Sequence, residues 1–208
     1  MEYRHDDGTI FAIVPLLENS EALMAQLIHR ERYLPFIEKM CENRKKEWLS
    51  VRVLLKKLLG EEKEIIYKPS GKPYLADNSY HISISHTQGY VCLILNRNKE
   101  VAIDIEKISF RVEKIWTRFV NSEEENNLSK ANRLIHLLLH WSAKESVFKI
   151  LDAKDVNFKT LICVNAFEPV INDWSSFRVK ELQTLAQKEY TVKYFVHADY
   201  VLTYIIDS

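Results

Sequence analysis

The sequence predicts an α+β fold arranged as a pseudo-dimer. Two similar α/β subdomains, 1–100 and 101–208, would enclose a ligand cleft between them. Three observations lead there. Each half carries helical periodicity followed by extended segments that close in a hairpin. Each half has roughly 100 residues, enough for a layered unit with a core of its own. Clefts between such halves are natural ligand sites. One irregular α+β domain is the plainer alternative.

Residues 18–60 read mostly as helix. Leu23, Leu27 and Ile28, then Leu49, Leu54, Leu55 and Leu58, recur at steps of three and four, and Gly60 fits a C-cap. Ile65-Ile66-Tyr67 is extended and enters the turn Pro69-Ser70-Gly71-Lys72-Pro73. His81–Ser85 and Tyr90–Leu95 flank His86-Thr87-Gln88-Gly89 as a hairpin. Val101–Glu106 alternates strictly between apolar and acidic or small residues, as a strand does. Helix follows over about 122–151. Tyr190–Val196 and Tyr200–Ile206 form a second hairpin around His197-Ala198-Asp199.

Composition excludes several function classes. Of 208 residues, 47% are hydrophobic and 28% charged, which argues for a packed core and against disorder. Lys+Arg and Asp+Glu both number 29, so a broad nucleic-acid-binding surface is not expected. Nothing approaches ~18 consecutive apolar residues, so no membrane span is expected. The start, MEYRHDDGTI, is unlike a signal peptide, and a cytoplasmic location is expected. Cys41, Cys92 and Cys163 are odd in number and widely spaced, which reads as buried thiols. With only four glycines, neither a P-loop nor a GxGxxG fingerprint can be built.

Three carboxylates sit where packing alone does not want them. Ala102, Asp104 and Glu106 share one face of a strand, and Val101, Ile103 and Ile105 share the other, which is expected to be the core. Glu145 falls within the helix's apolar stripe of Leu134, Leu137, Leu138, Trp141, Phe148 and Leu151. A carboxylate there needs a partner, and Lys149 stands one turn on. The plain reading is a solvated strand face and an ion pair at the core's edge. The chemical reading is that Asp104, Glu106 and Glu145 converge on one hard divalent cation such as Mg²⁺. His136 and His140 are also one turn apart, but no glutamate lies between them as in HExxH, so they read as packing histidines.

Taken together and in order, four stretches resemble the Sfp-type 4′-phosphopantetheinyl transferase superfamily. They are Gly71-Lys72-Pro73-Tyr74-Leu75, Ile82-Ser83-Ile84-Ser85-His86-Thr87, Ala102-Ile103-Asp104-Ile105-Glu106, and Trp141 through Lys149 (WSAKESVFK). Arg44 through Arg52 is similar to the family's early helix. GKP or SH alone carries no weight. The DxE pair followed about forty residues on by WxxKExxxK is specific, and the resemblance spans about residues 44–151.

The resemblance implies transfer of the phosphopantetheine arm of coenzyme A to a serine of an acyl or peptidyl carrier protein. Adenosine 3′,5′-bisphosphate would be the other product. Asp104, Glu106 and Glu145 would hold Mg²⁺ against the pyrophosphate, and Glu145 would also serve as general base. Lys149 would bind the pyrophosphate and protonate the departing bisphosphate. In the first half, Lys72 and His86 would contact the nucleotide end, with His86 near the 3′-phosphate. Ser85 and Thr87 would support them. Arg44, with Lys45 or Lys46, is a further candidate for the 3′-phosphate. Glu123 matches an acidic position in some relatives and equally suits a helix N-terminus. Trp141 reads as core. A monomer is expected.

The chain departs from its relatives at two places. Ala102 stands where glycine is frequent, and residues 150–158 lack a glycine-containing turn, which bears on carrier choice. Two other functions compete: a non-catalytic coenzyme A-binding module of the same fold, and a Mg²⁺-dependent nucleotide pyrophosphohydrolase.

Overall fold

A computed structural model describes residues 2–5 and 7–207. The chain divides into two units, Met1–Asn98 and Lys99–Ser208.

The first unit is built around a strand that sequence periodicity passes over. β1 (Glu2–Arg4) pairs with β2 (Ile10–Pro15), the segment Ile-Phe-Ala-Ile-Val-Pro. A short uniform apolar run of this kind has no period to betray it. Three helices follow: α1 (Ser20–Ala25), α2 (Arg30–Ile37) and α3 (Glu42–Leu59). Residues 18–60 are thus mostly helical, as expected, in three pieces separated by two breaks. The breaks are held locally and from afar. Asn19 caps α1 by accepting the Ala22 N–H at 2.8 Å. The N–H groups of Ile28 and His29, just before α2, are taken by the distant Glu62 carboxylate at 2.6 and 3.2 Å. α3 ends at Gly60, whose φ of 76° is the left-handed conformation glycine adopts without strain.

Then come β3 (Ile65–Tyr67), β4 (Pro73–Leu75), β5 (His81–Thr87) and β6 (Tyr90–Asn96). β3 and β4 form their own two-stranded ribbon, while the main sheet runs β1-β2-β6-β5, antiparallel throughout. The β5–β6 hairpin is tighter than expected. Thr87 pairs with Tyr90, so His86 and Thr87 belong to the strand and only Gln88-Gly89 turn. Val51, Leu54, Leu55 and Leu58 of α3 pack on Val91, Leu93 and Leu95 of β6, with Ile65, Leu75 and Ile82 completing the core.

The second unit opens with β7 (Val101–Lys107) and two short 3₁₀ turns, then α4 (Ser122–Asn126) and α5 (Arg133–Leu151). β8 (Ile162–Val164), β9 (Trp174–Glu181), β10 (Glu189–Val196) and β11 (Tyr200–Ile206) complete it. The sheet order is β7-β11-β10-β9-β8, all antiparallel. In each unit an early strand pairs with the last one, which in turn pairs with its hairpin mate: β2-β6-β5 and β7-β11-β10. Each unit also has one long helix, of 18 and 19 residues.

The helix expected over 122–151 is two helices. Asn121 and Glu124 close a capping box on α4. The chain then bends, and the Ser129 N–H donates to His136 Nδ1 at 2.9 Å. α5 ends on Asp152, which takes the left-handed conformation at φ 49°, so an aspartate fills the cap position that glycine usually takes. Leu137, Leu138, Ala143 and Val147 of α5 pack over Ala102, Val201, Ile205 and Val192 of the sheet. Among the described residues, no helix is long and apolar enough to cross a membrane.

Lys144 and Glu124 form a buried pair that periodicity does not reveal. They are 0% and 2% exposed, with Nζ 2.7 Å from Oε1 and 2.9 Å from Oε2. Lys144 also donates to the carbonyls of Phe119 (2.6 Å) and Phe158 (2.9 Å), which uses its three N–H bonds. Glu124 further accepts the N–H groups of Asn121 and Val164, both at 2.8 Å. Burial pushes the Lys144 pKa down, and Glu124 opposes that shift. Removing one partner leaves the other charged and buried. Lys144→Met is therefore expected to lower stability by about 3–5 kcal/mol. Pairing it with Glu124→Gln should restore part of the loss, as read by urea unfolding of the single and double variants.

Candidate active site

The second unit gathers four of the motif residues. Strand alternation turns Ala102, Asp104 and Glu106 toward α5, and α5 turns Trp141, Glu145 and Lys149 toward β7. The acidic face of β7 is thus the face α5 covers, and not an outer face opposite the core as the alternation suggested. Asp104 is only 4% exposed, and residues 101–105 are buried on both sides of the strand.

Lys149 Nζ donates to Asp104 Oδ1 and to the Ile103 carbonyl, both at 2.8 Å. It is the Asp104 ion pair that the lysine forms, and not only the one-turn pairing with Glu145 that helix spacing suggests. Glu106 Oε1 accepts the Trp141 indole N–H at 2.8 Å, so Trp141 is a direct partner of a motif acid as well as a core residue.

One ammonium does not balance three carboxylates. Burial, followed by the Asp104 charge, raises Glu145 to about 7. Burial, then Asp104, raises Glu106 to about 7, with Glu145 adding to the shift and the Trp141 hydrogen bond opposing it. Both groups are held ready to gain a proton or a cation near neutrality.

The donor set is all hard oxygen, the chemistry Mg²⁺ takes. The residues are not a ready-made shell, however. Among the described residues, no three His, Cys, Asp or Glu side chains stand grouped as metal ligands. Lys149 draws one Asp104 oxygen away and the indole draws one Glu106 oxygen away. The site fits the cation in charge and donor type, and binding requires these two contacts to yield.

In the first unit, α3 and β5 bring Arg44 and His86 together. Arg44 Nη1 lies 2.5 Å from His86 Nε2 and 3.1 Å from Glu47 Oε2, and Glu47 Oε2 lies 3.2 Å from His86 Nε2. Arg44 and His86 are about half exposed, so an arriving anion can compete with Glu47 for both. Ser85 and Thr87 alternate with His86 and take the other face of β5. Lys72 follows Gly71, whose φ of 91° allows the β3–β4 turn, and its carbonyl accepts the Lys68 N–H at 3.0 Å. Lys45 and Lys46 occupy the same first turns of α3, half-buried.

Sequence reasoning missed Glu124 and gave Lys144, the first lysine of WxxKExxxK, no role. Glu123, the acid it singled out, is exposed, and its neighbour Glu124 is the buried one. An Asn-x-x-Glu capping box at 121–124 was the available signal. His136 and His140 are buried against Phe167, the first edge-on and the second stacked, and burial lowers their pKa values to about 4 and about 3. They are neutral packing groups.

Residues 100–205 match the model of the 4′-phosphopantetheinyl transferase superfamily. The chain belongs to this superfamily. The matched region runs from β7 to β11 and contains Asp104, Glu106, Glu145 and Lys149. The Arg44, Lys72 and His86 positions lie outside it. The chain is similar to the 4′-phosphopantetheinyl transferase AcpT of Salmonella typhi, 29% identical over 114 residues, 51% of this chain and 58% of that protein. It is 32% identical over 114 residues to AcpT of Salmonella typhimurium, with the same coverage. Against AcpT of Escherichia coli O157:H7 it is 36% identical over 74 residues, 35% of this chain and 38% of the relative. The chain thus spans little more than half the length of the two Salmonella relatives and 38% of the Escherichia coli one.

The raised carboxyl groups set a stability profile. Glu106 and Glu145 bind protons more tightly folded than unfolded, so the folded state holds more protons between about pH 4.5 and 7. Stability of the metal-free chain is therefore expected to fall as pH rises through that window. Glu145→Gln removes one titrating group and should flatten the decline, as read by thermal melts from pH 5 to 8.

Proposed function

We propose that the chain transfers the 4′-phosphopantetheine arm of coenzyme A to a serine of an apo acyl or peptidyl carrier protein, releasing adenosine 3′,5′-bisphosphate. The observation that carries this reading is the convergence of Asp104, Glu106, Glu145 and Lys149 across β7 and α5, in a member of this superfamily.

On this reading Asp104, Glu106 and Glu145 would hold Mg²⁺, and a bound Mg²⁺ would supply charge neutralisation for the pyrophosphate. Glu145 takes the proton of the carrier serine. A carboxyl poised near pH 7 suits that work, and a positioned base typically contributes roughly 10²–10⁴-fold. Lys149 leaves Asp104 to meet the pyrophosphate and gives a proton to the departing bisphosphate. Arg44, Lys72 and His86 hold the nucleotide end, with the 3′-phosphate displacing Glu47 from the Arg44–His86 pair. Ser85 and Thr87 support the strand that presents His86. The protein would act as a monomer in the cytoplasm. The chemistry is displacement at phosphorus, where charge neutralisation and alignment supply most of the rate.

Mass spectrometry of candidate apo carriers tests the reading. Addition of the arm is expected only when coenzyme A, Mg²⁺ and the carrier are all present. Cleavage of coenzyme A without a carrier would instead indicate a pyrophosphohydrolase, and binding without cleavage a non-catalytic module.

Two further outcomes follow. Lys149→Ala should lower kcat by roughly 10²-fold, more than it weakens coenzyme A binding, and a loss confined to affinity would make Lys149 a binding residue only. Asp104→Asn is the informative change at that position, because the buried side chain keeps its shape. It should abolish Mg²⁺-dependent turnover. Since protons compete for Glu106 and Glu145, apparent Mg²⁺ affinity should rise with pH from about 6 to 8, measured by calorimetry.

A further inference from the structure

The first unit holds a cavity of about 650 Å³ that the transfer reading does not use. Its walls come from α2, α3 and residues 62–67. Tyr33, Phe36, Trp48 and Tyr67 give it aromatic surfaces. Trp48 meets Tyr33 edge-on at 5.6 Å and stacks with Phe36 at 5.9 Å.

At its back sits Arg52, 4% exposed. The guanidinium carbon lies 3.0 Å from the Trp48 ring centroid. Nη1 donates to the Trp48 carbonyl at 2.9 Å, and the Tyr67 hydroxyl is a second partner. Among the described residues, no carboxylate pairs with this arginine. Buried cations ordinarily carry such a partner, and a guanidinium has five N–H donors. Burial lowers its pKa to about 10 and leaves it charged. Glu62, on the same cavity, is already engaged. Burial would raise its carboxyl, yet the Tyr33 hydroxyl (2.6 Å) and the N–H groups of Ile28 and His29 hold it low. A buried, unmatched guanidinium facing aromatic walls matches a flat anionic guest.

We propose that this cavity binds a planar aromatic ligand bearing one carboxylate or phosphate, its ring against Trp48 and its anion on Arg52. The guest is either a free aromatic anion or the base and phosphate of a nucleotide.

Isothermal titration of the full chain with 1-naphthyl phosphate tests this, with 1-naphthol as the neutral control and neither carrier nor Mg²⁺ present. The phosphate should bind more tightly than the naphthol. Arg52→Gln should weaken the phosphate by roughly 10–100-fold and leave naphthol within about twofold. Should that buried variant fail to fold by circular dichroism, Phe36→Glu decides. Phe36 is 62% exposed and lines the cavity, so the change puts a negative charge there without touching the core. It should weaken the phosphate by roughly 10-fold. Equal binding of phosphate and naphthol, no binding of either, or insensitivity to the charge changes would overturn the proposal. Displacement by adenosine 3′,5′-bisphosphate would support the site with a nucleotide as guest. Persistence against it would support the site with an independent aromatic anion. Because no transfer is measured, the result stands apart from the enzymatic reading.

Discussion

The buried Lys144–Glu124 pair is the contact on which the second unit's chemistry depends. Consecutive residues on a helix point about 100° apart. With Lys144 locked to Glu124 and to the carbonyls of Phe119 and Phe158, the rotation of α5 is set. Glu145 and Lys149 must then face β7. Glu124 extends the same constraint to β8 through the Val164 N–H and to α4 through its own capping box. One charged pair therefore joins two helices, two loops and a strand. An apolar residue at 144 would pack, but it would not specify that rotation.

The acidic face beside it is built with too little positive charge. Covering Asp104, Glu106 and Glu145 with a helix removes the water that would otherwise solvate them, and Lys149 offsets only part of the repulsion. A stability-optimised core would replace at least one of these carboxylates. On the proposed function such a face suits a cation and a multiply charged ligand, and Lys149 and the Trp141 indole are its partners in their absence. The first unit has a comparable arrangement of opposite sign, where Arg44 and His86 share the single carboxylate of Glu47.

Much of this was legible before any coordinates. The β5–β6 and β10–β11 hairpins, the Gly60 cap and the alternation of 101–106 follow from local rules, because turn chemistry and side-chain period are properties of a few neighbouring residues. What escaped was decided at a distance. β2 is an unpunctuated apolar run that becomes a strand by pairing with β6. The helix break near 28 depends on Glu62, a partner that no local window contains, and the one near 129 rests on His136, close in sequence but joined by a contact that periodicity does not score.

The sequence by itself singled out the residues on which the proposed chemistry rests: the acids at 104, 106 and 145, the lysine at 149, and the cations and histidine of the first half. It did so because residue type and spacing are conserved quantities of the chain, whatever its packing. Only the tertiary structure decided their state. Burial beneath α5 raised two carboxyls toward neutrality, and pairing sent Lys149 to Asp104. The same folding left Arg52 charged in an aromatic cavity without a carboxylate. Desolvation and pairing depend on what the fold brings near, and no arrangement of letters states that.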